Sequence, residues 1–336
     1  MVKSKNKILK TIDVIQNKDS KKNILVLGDS IFDSYAIGKI YRMSPEAPVP
    51  VLSISNTEWK LGGAANVFHN IVKLGGNAHI CTMLGNDNEG CLIKNKLSNI
   101  NKNTDLVYID KKRKTSKKTR FLTEDRRHLL RADDEEIHPM GENEASEHII
   151  SKIQNRIKEF DILVISDYAK GFVTKYLAQQ MINIFRDNNK IVLTDPKSRS
   201  ISKYQGSYLI KPNQNEFMNI IDSRKSKMKI SYIAKQGEKL LERSDSEYIY
   251  VTLGKKGGIL IGKHIEAMYI ESHGKKTIDI TGAGDTVIAS IALALSADIN
   301  MTDAVKFSSY AAGVCVQRIG TTPIDWDDIK KLAELE

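Results

Sequence analysis

Asp279-Ile280-Thr281-Gly282-Ala283-Gly284-Asp285-Thr286, followed at once by the apolar run Val287 to Ala297, sets small residues directly before a periodic apolar segment. This predicts a tight turn opening into a helix whose first backbone N–H groups lack intrahelical partners. Those donors, with the positive end of the helix dipole, form a cradle for an anion. An acid inside such a cradle repels what the loop attracts unless it has a chemical role of its own. General-base chemistry supplies one, in which Asp285 takes the proton of a substrate hydroxyl while the amides of Gly282, Ala283 and Gly284 hold charge developing on a transferring phosphoryl group. Taken alone the stretch also reads as a loop with an acidic helix start, and at this point both readings stand.

The chain of 336 residues is long enough for one large α/β domain or two smaller ones. Lys and Arg number 51 against 41 Asp and Glu, a formal net charge of +10. No zinc pattern, aromatic-basic RNA-binding signature or continuous basic helix accompanies that excess, which excludes a nucleic-acid partner and leaves a solvated surface that attracts anionic small molecules. Cys81, Cys91 and Cys315 are odd in number and far apart, so no disulfide framework is expected and a reducing cytoplasm fits. No apolar run reaches membrane-spanning length and no signal-peptide core is present, so no membrane partner is expected.

Outward from the loop, residues 1–20 read as a short amphipathic helix or frayed lead-in, and 21–330 as the body. Ile24-Leu25-Val26-Leu27-Gly28-Asp29 is a continuous apolar run ending in an acid, the pattern of a buried parallel strand. Such strand ends face the ligand crevice of an open α/β sheet, which makes Asp29 and Asp33 candidates for substrate, or else turn residues. Asp161 to Asp167, Lys190 to Lys197 and Ser207 to Pro212 repeat the pattern, with Lys170 following the first of them. Their acidic and basic ends converge on one edge of a doubly wound, mostly parallel sheet flanked by helices. Two strand-like excursions, about 37–60 with Pro45, Pro48 and Pro50, and about 106–136 with ten Lys and Arg, suggest a small β lid. Gly62-Gly63-Ala64-Ala65-Asn66 opens a helix between them, where Asn66 suits sugar hydroxyls and the glycines suit either a ligand or close helix packing. Asn213-Gln214-Asn215-Glu216 is a capping-box spacing that equally suits Mg²⁺ held through water. The segments 247–254 and 258–262 predict a hairpin, and helices near 285–297 and 302–318 are rich in small residues.

These motifs reach a family. Gly62-Gly63-Ala64-Ala65-Asn66, with Gly75 and Gly85 behind it, resembles the first signature of the ribokinase-like (PfkB) carbohydrate kinases. Asp279 to Asp285 resembles the second signature, and Asn213-Gln214-Asn215-Glu216 the family's Asn-x-x-Glu motif. The resemblance implies Asp285 as base with Gly282, Ala283 and Gly284 as anion hole. It also implies ATP at Asn213, Gln214, Asn215, Glu216, Thr252 and Gly254, and Mg²⁺ beside Glu216. Gly28-Asp29-Ser30-Ile31-Phe32-Asp33, Ser44 to Val51, Ser166-Asp167-Tyr168-Ala169-Lys170-Gly171 and Asp195-Pro196-Lys197 look like the D-glycero-β-D-manno-heptose 7-phosphate kinases, including the kinase half of the bifunctional ADP-heptose synthesis enzyme. That implies phosphorylation of the heptose phosphate at O1, with Asp29, Asp33, Gly62, Gly63, Asn66, Asp167, Lys170 and Lys197 toward the sugar. The alternatives are another sugar or nucleoside kinase of the family, or a sugar-binding relative without catalysis.

Phe68 departs from the first signature, where a small residue is usual. A His-x-Gly-His-like motif is missing, so the second activity of the bifunctional enzyme is not expected. Exposed β edges on the lid, and the resemblance, lead to the expectation of a homodimer.

Overall fold

A computed structural model describes residues 2–19, 21–140, 144–223, 229–274 and 277–335. The side chains of 2–5 and 144 also lie outside the description, as do Met1 and Ser20 of the lead-in. The strands are, in chain order, β1 Ile24–Gly28, β2 Ser30–Met43, β3 Pro50–Gly63, β4 Ala78–Gly85, β5 Leu106–Asp110, β6 Lys117–Thr123, β7 His128–Asp134, β8 Ile162–Ser166, β9 Ile191–Asp195, β10 Leu209–Ile210, β11 Tyr248–Thr252, β12 Gly258–Gly262 and β13 Ile265–Ile270.

Nine strands form the body sheet in the order β13-β12-β11-β10-β9-β8-β1-β4-β5. Pairings from β5 to β11 are parallel; β12 and β13 turn back antiparallel through the hairpin at 254–257. Strands such as Ile-Leu-Val-Leu-Gly and Ile-Leu-Val-Ile-Ser are buried at every position because helices cover both faces. On one face Ile8, Ile12, Val67, Ile288, Val305 and Ile329 join a single core, so the lead-in helix Val2–Asn17 docks onto the body. On the other face Ile149, Leu177 and Phe185 pack under β1 and β8. The strand order reverses between β1 and β8, where an open α/β sheet leaves a crevice at the strand ends.

The lid is a separate four-stranded sheet, β3-β2-β6-β7. Two of its expected limits move. β2 leaves the body directly at Ser30 rather than near 37, since Asp29 is the last residue held by β8. Leu106–Asp110 lies in the body, paired parallel with β4, so the second excursion starts at Lys117. Leu106 is fully buried in the sheet, whereas the lid strand β7 is exposed throughout.

Candidate active site

The helix Ala283–Ser296 starts at Gly282, whose φ of +80° suits glycine and turns the chain into the helix. Asp279 pins the preceding turn: one carboxylate oxygen accepts from the Thr281 amide and hydroxyl at 2.9 and 2.7 Å, and the other from the Gly320 amide at 2.8 Å. Burial raises the Asp279 pKa, but these donors outweigh it and hold the carboxyl below its usual range. Among the described residues the amides of Gly282, Gly284 and Asp285 make no backbone hydrogen bond, whereas that of Ala283 donates to the Ile280 carbonyl at 3.2 Å. The donors left over at this turn are therefore those of Gly282, Gly284 and Asp285, since the first helical turn uses the Ala283 amide expected beside them.

Asp285 sits at the floor of this cradle with 1% exposure. Its Oδ2 accepts from Asn66 Nδ2 at 2.9 Å and its Oδ1 from the Tyr168 hydroxyl at 2.5 Å. Burial raises its pKa to about 6, with the Asn66 and Tyr168 hydrogen bonds and the Lys211 charge opposing the rise. Asn66 is held in turn by Asn70, whose Nδ2 donates to Asn66 Oδ1 at 3.1 Å. Its amide thus orients the acid, where the sequence suggests sugar hydroxyls as its partners. The helix carrying it, Ala64–Lys73, begins at Gly63, where φ is +60° and a Cβ would lie 2.2 Å from the Asp29 carbonyl oxygen.

The acids at the strand ends have structural roles. Asp29 accepts from the amides of Tyr168 at 2.9 Å, Lys170 at 3.1 Å and Phe172 at 3.2 Å, which folds the loop after β8 over the crevice. Asp167 accepts from the Tyr204 hydroxyl at 2.6 Å, from Lys203 and from the Ala169 amide at 2.7 Å. Both were expected at the substrate, yet their oxygens are occupied by groups of this chain. Asp195 is paired with the fully buried Lys211 at 3.0 Å, directly beneath Gly284. Burial raises the Asp195 pKa to about 7, with Lys211 opposing the rise. Neither Tyr168 nor Lys211 was singled out from sequence for these roles. The available signal for Lys211 was a lysine directly after an apolar strand, a costly place for a charge without a partner.

A cleft of about 820 Å³ opens beside the cradle, lined by Asn213 to Glu216, Thr252 to Lys255, Gly282 to Gly284, and Ala312, Gly313 and Val316. Asn213 and Glu216 form a complete capping box: Asn213 Oδ1 accepts from the Glu216 amide at 3.0 Å, and Glu216 Oε2 from the Asn213 amide at 2.9 Å. Glu216 Oε1 pairs with Lys197 at 3.0 Å, and Lys197, expected toward the sugar, lines the same cleft. Thr252 bridges to Asn213, and Gly254, with φ of +59°, lines the same cleft. Among the described residues no group of three or more His, Cys, Asp or Glu is gathered for a metal.

Across the crevice the lid brings Asp33 against Arg120 at 2.5 Å, both nearly buried. Gly62 backs onto that carboxylate; a Cβ there would fall 2.2 Å from Asp33 Oδ2. Lys170 is held by Glu135 at 2.5 Å, so neither lysine expected at a sugar phosphate is free of a carboxylate.

The family model described as pfkB family carbohydrate kinase matches residues 21–328. Bifunctional protein HldE of Aliarcobacter butzleri is 38% identical over 311 residues, covering 92% of this chain and 64% of that protein. Bifunctional protein HldE of Desulfatibacillum aliphaticivorans is 34% identical, covering 91% of this chain and 62% of that protein. The chain thus spans a little under two thirds of the length of these relatives. Among solved structures, Arabidopsis thaliana ribokinase complexed with ribose and ATP superposes with a TM-score of 0.73 at 18% identity, covering 94% of this chain and all of that one. The tetrameric inhibited form of phosphofructokinase-2 from Escherichia coli superposes with 0.71 at 19%, covering 94% and 99%. Likeness at that identity carries the fold. Among the described residues no helix is long and apolar enough to cross a membrane.

Proposed function

The chain belongs to the pfkB family of carbohydrate kinases and is a phosphotransferase, and we propose that it transfers the γ-phosphoryl group of ATP to O1 of D-glycero-β-D-manno-heptose 7-phosphate. The product is the 1,7-bisphosphate, a precursor for ADP-heptose and a surface glycan. The observation that carries the reading is Asp285: a buried carboxylate, doubly hydrogen-bonded, in the first turn of a helix whose free amides face the cleft. The heptose assignment is supported by the motifs at 28–33, 44–51, 166–171 and 195–197, and by the relatives named bifunctional protein HldE.

Asp285 accepts the proton of the O1 hydroxyl as its oxygen bonds to the γ-phosphorus and the bond to the ADP oxygen breaks. The amides of Gly282, Gly284 and Asp285 hold charge on the transferring group, and Lys211 beneath them adds a fixed cation. Asp29 holds the Tyr168 loop over the crevice, where it keeps water from the reacting atoms. The cleft fits a nucleotide in volume and in its small-residue wall at Ala312 and Gly313. Glu216, at the cleft wall, would hold Mg²⁺ through water beside the nucleotide phosphates. When bound, Mg²⁺ neutralises phosphate charge.

The enzyme acts in the cytoplasm as a homodimer joined through the lid, whose outer face exposes Ile40, Met43, Ile54 and Leu130. The deciding experiment is ADP release with Mg-ATP across heptose 7-phosphate, fructose 6-phosphate, ribose, fructose and adenosine. Preference for the heptose phosphate is expected; preference for another acceptor removes the heptose assignment, and silence on all five removes the catalytic one.

A further inference from the structure

Lys118 stands on the inner face of the lid, in register with Asp33 of the neighbouring strand and two residues before Arg120. Side chains alternate along a strand, so Lys118, Asp33 and Arg120 share the face turned to the crevice, while Lys117 points the other way to Glu89. Lys118 is half-buried, yet among the described residues its ammonium has no ion pair and no hydrogen bond. The carboxylates around it are already matched: Asp33 with Arg120 at 2.5 Å, Glu135 with Lys170 at 2.5 Å, and Asp133 with Arg131 at 2.9 Å. One positive charge is therefore left over beside the crevice, and Lys170 stands close enough to repel it.

The position of that charge relative to the base is informative. Lys118 Nζ lies 5.5 Å from the centroid of the Tyr168 ring, and the hydroxyl of the same ring touches Asp285 at 2.5 Å. Ammonium and base thus meet at one side chain, the Tyr168 ring at the mouth of the crevice. Glu135 also keeps a second buried oxygen, Oε2, without a partner in the same neighbourhood, an acceptor suited to a sugar hydroxyl. Burial, and after it the Lys170 charge, lower the Lys118 pKa, with Asp33, Asp133 and Glu135 opposing.

We infer that Lys118 binds a phosphate monoester at the far end of the acceptor and thereby selects phosphorylated over unphosphorylated sugars. The inference rests on the sugar-kinase reading of Asp285 and extends it to a residue that neither signature contains. It also reassigns the role expected of Lys170 and Lys197, which are paired with Glu135 and Glu216.

The test is calorimetric binding of two acceptor pairs, heptose with heptose 7-phosphate and fructose with fructose 6-phosphate, to the full chain and to its Lys118→Met and Lys118→Arg variants. Wild type is expected to prefer the phosphorylated member of a pair. Lys118→Met should weaken that member by about 10- to 100-fold, the range of one charge-assisted hydrogen bond, and erase most of the preference. Lys118→Arg should restore most of it. Equal weakening of both members by Lys118→Met, or a preference that survives it, overturns the inference. If the methionine variant does not fold, wild type decides: the preference must shrink as salt rises, and a salt-independent preference overturns the inference. A preference confined to the fructose pair and lost in Lys118→Met removes the heptose assignment while leaving Lys118 in place. A wild type without preference in either pair removes Lys118, and ADP release then judges the kinase reading separately.

Discussion

In the proposed reaction Asp285 meets two opposing demands: it must be ionised to accept a proton, and it is almost fully withdrawn from water. Burial places its pKa at about 6, so proton acceptance is complete above that value and lost as the pH falls through it. The expected kcat profile therefore has an acid limb near pH 6, checked by initial rates at saturating substrate. Tyr168 donates to the ionised form, so Tyr168→Phe removes a stabilising partner and should move that limb to higher pH. A limb that stays in place would mean that Tyr168 only packs. Asp285→Asn cannot accept the proton, and turnover should fall by about 10² to 10⁴ while the far-ultraviolet spectrum is unchanged. Turnover near wild type would remove Asp285 from the mechanism.

At the scale of elements, the site is assembled from segments that touch only through side chains. Asp29 at the end of β1 folds the 168–172 loop, and Asp195 at the end of β9 holds Lys211 after β10. Lys211→Met leaves Asp195 buried without its cation and should cost about 3–5 kcal/mol, read from urea unfolding. Phe68 replaces a usually small residue in the first signature and is fully buried in the core with the helix Ala283–Ser296. The helix Ala64–Lys73 accommodates it by packing against this small-residue partner. Phe68→Ala should therefore cost about 3–5 kcal/mol by loss of contacts and opening of a cavity, and a cost under about 1 kcal/mol would show that the neighbours close the gap.

For the whole molecule, the lid is a half-covered sheet with its charged face toward the crevice and apolar side chains on the outer one. A second copy over that outer face is expected, with light scattering giving twice the 37.7 kDa of one chain. Ile54→Asp with Leu130→Asp should return the single-chain mass; a wild type already at that mass would refute the dimer. The lid's limits were only partly legible in the sequence. The charges in 106–136 mark exposure, but Leu106–Asp110 is a short apolar-rich strand whose membership in body or lid depends on which edge it meets.

The sequence by itself determined the parallel body, the helix-opening turn at 282 and the acid at 285 as candidate base. Each rests on local rules: continuous apolar runs bury on both faces, small residues open helices, and an acid among free amides is costly unless it does chemistry there. The capping box at 213–216 was legible for the same reason, since its two hydrogen bonds join residues three apart. Tertiary structure alone decided the occupancy of the charged side chains. Asp29, Asp167 and Lys170 look alike in sequence to groups awaiting a ligand, but each is bound by at least one partner between 35 and 143 residues away. Whether a charge is free depends on the net balance among neighbours in space, and that balance leaves Lys118, rather than the lysines in the motifs, facing the crevice unpaired among the described residues.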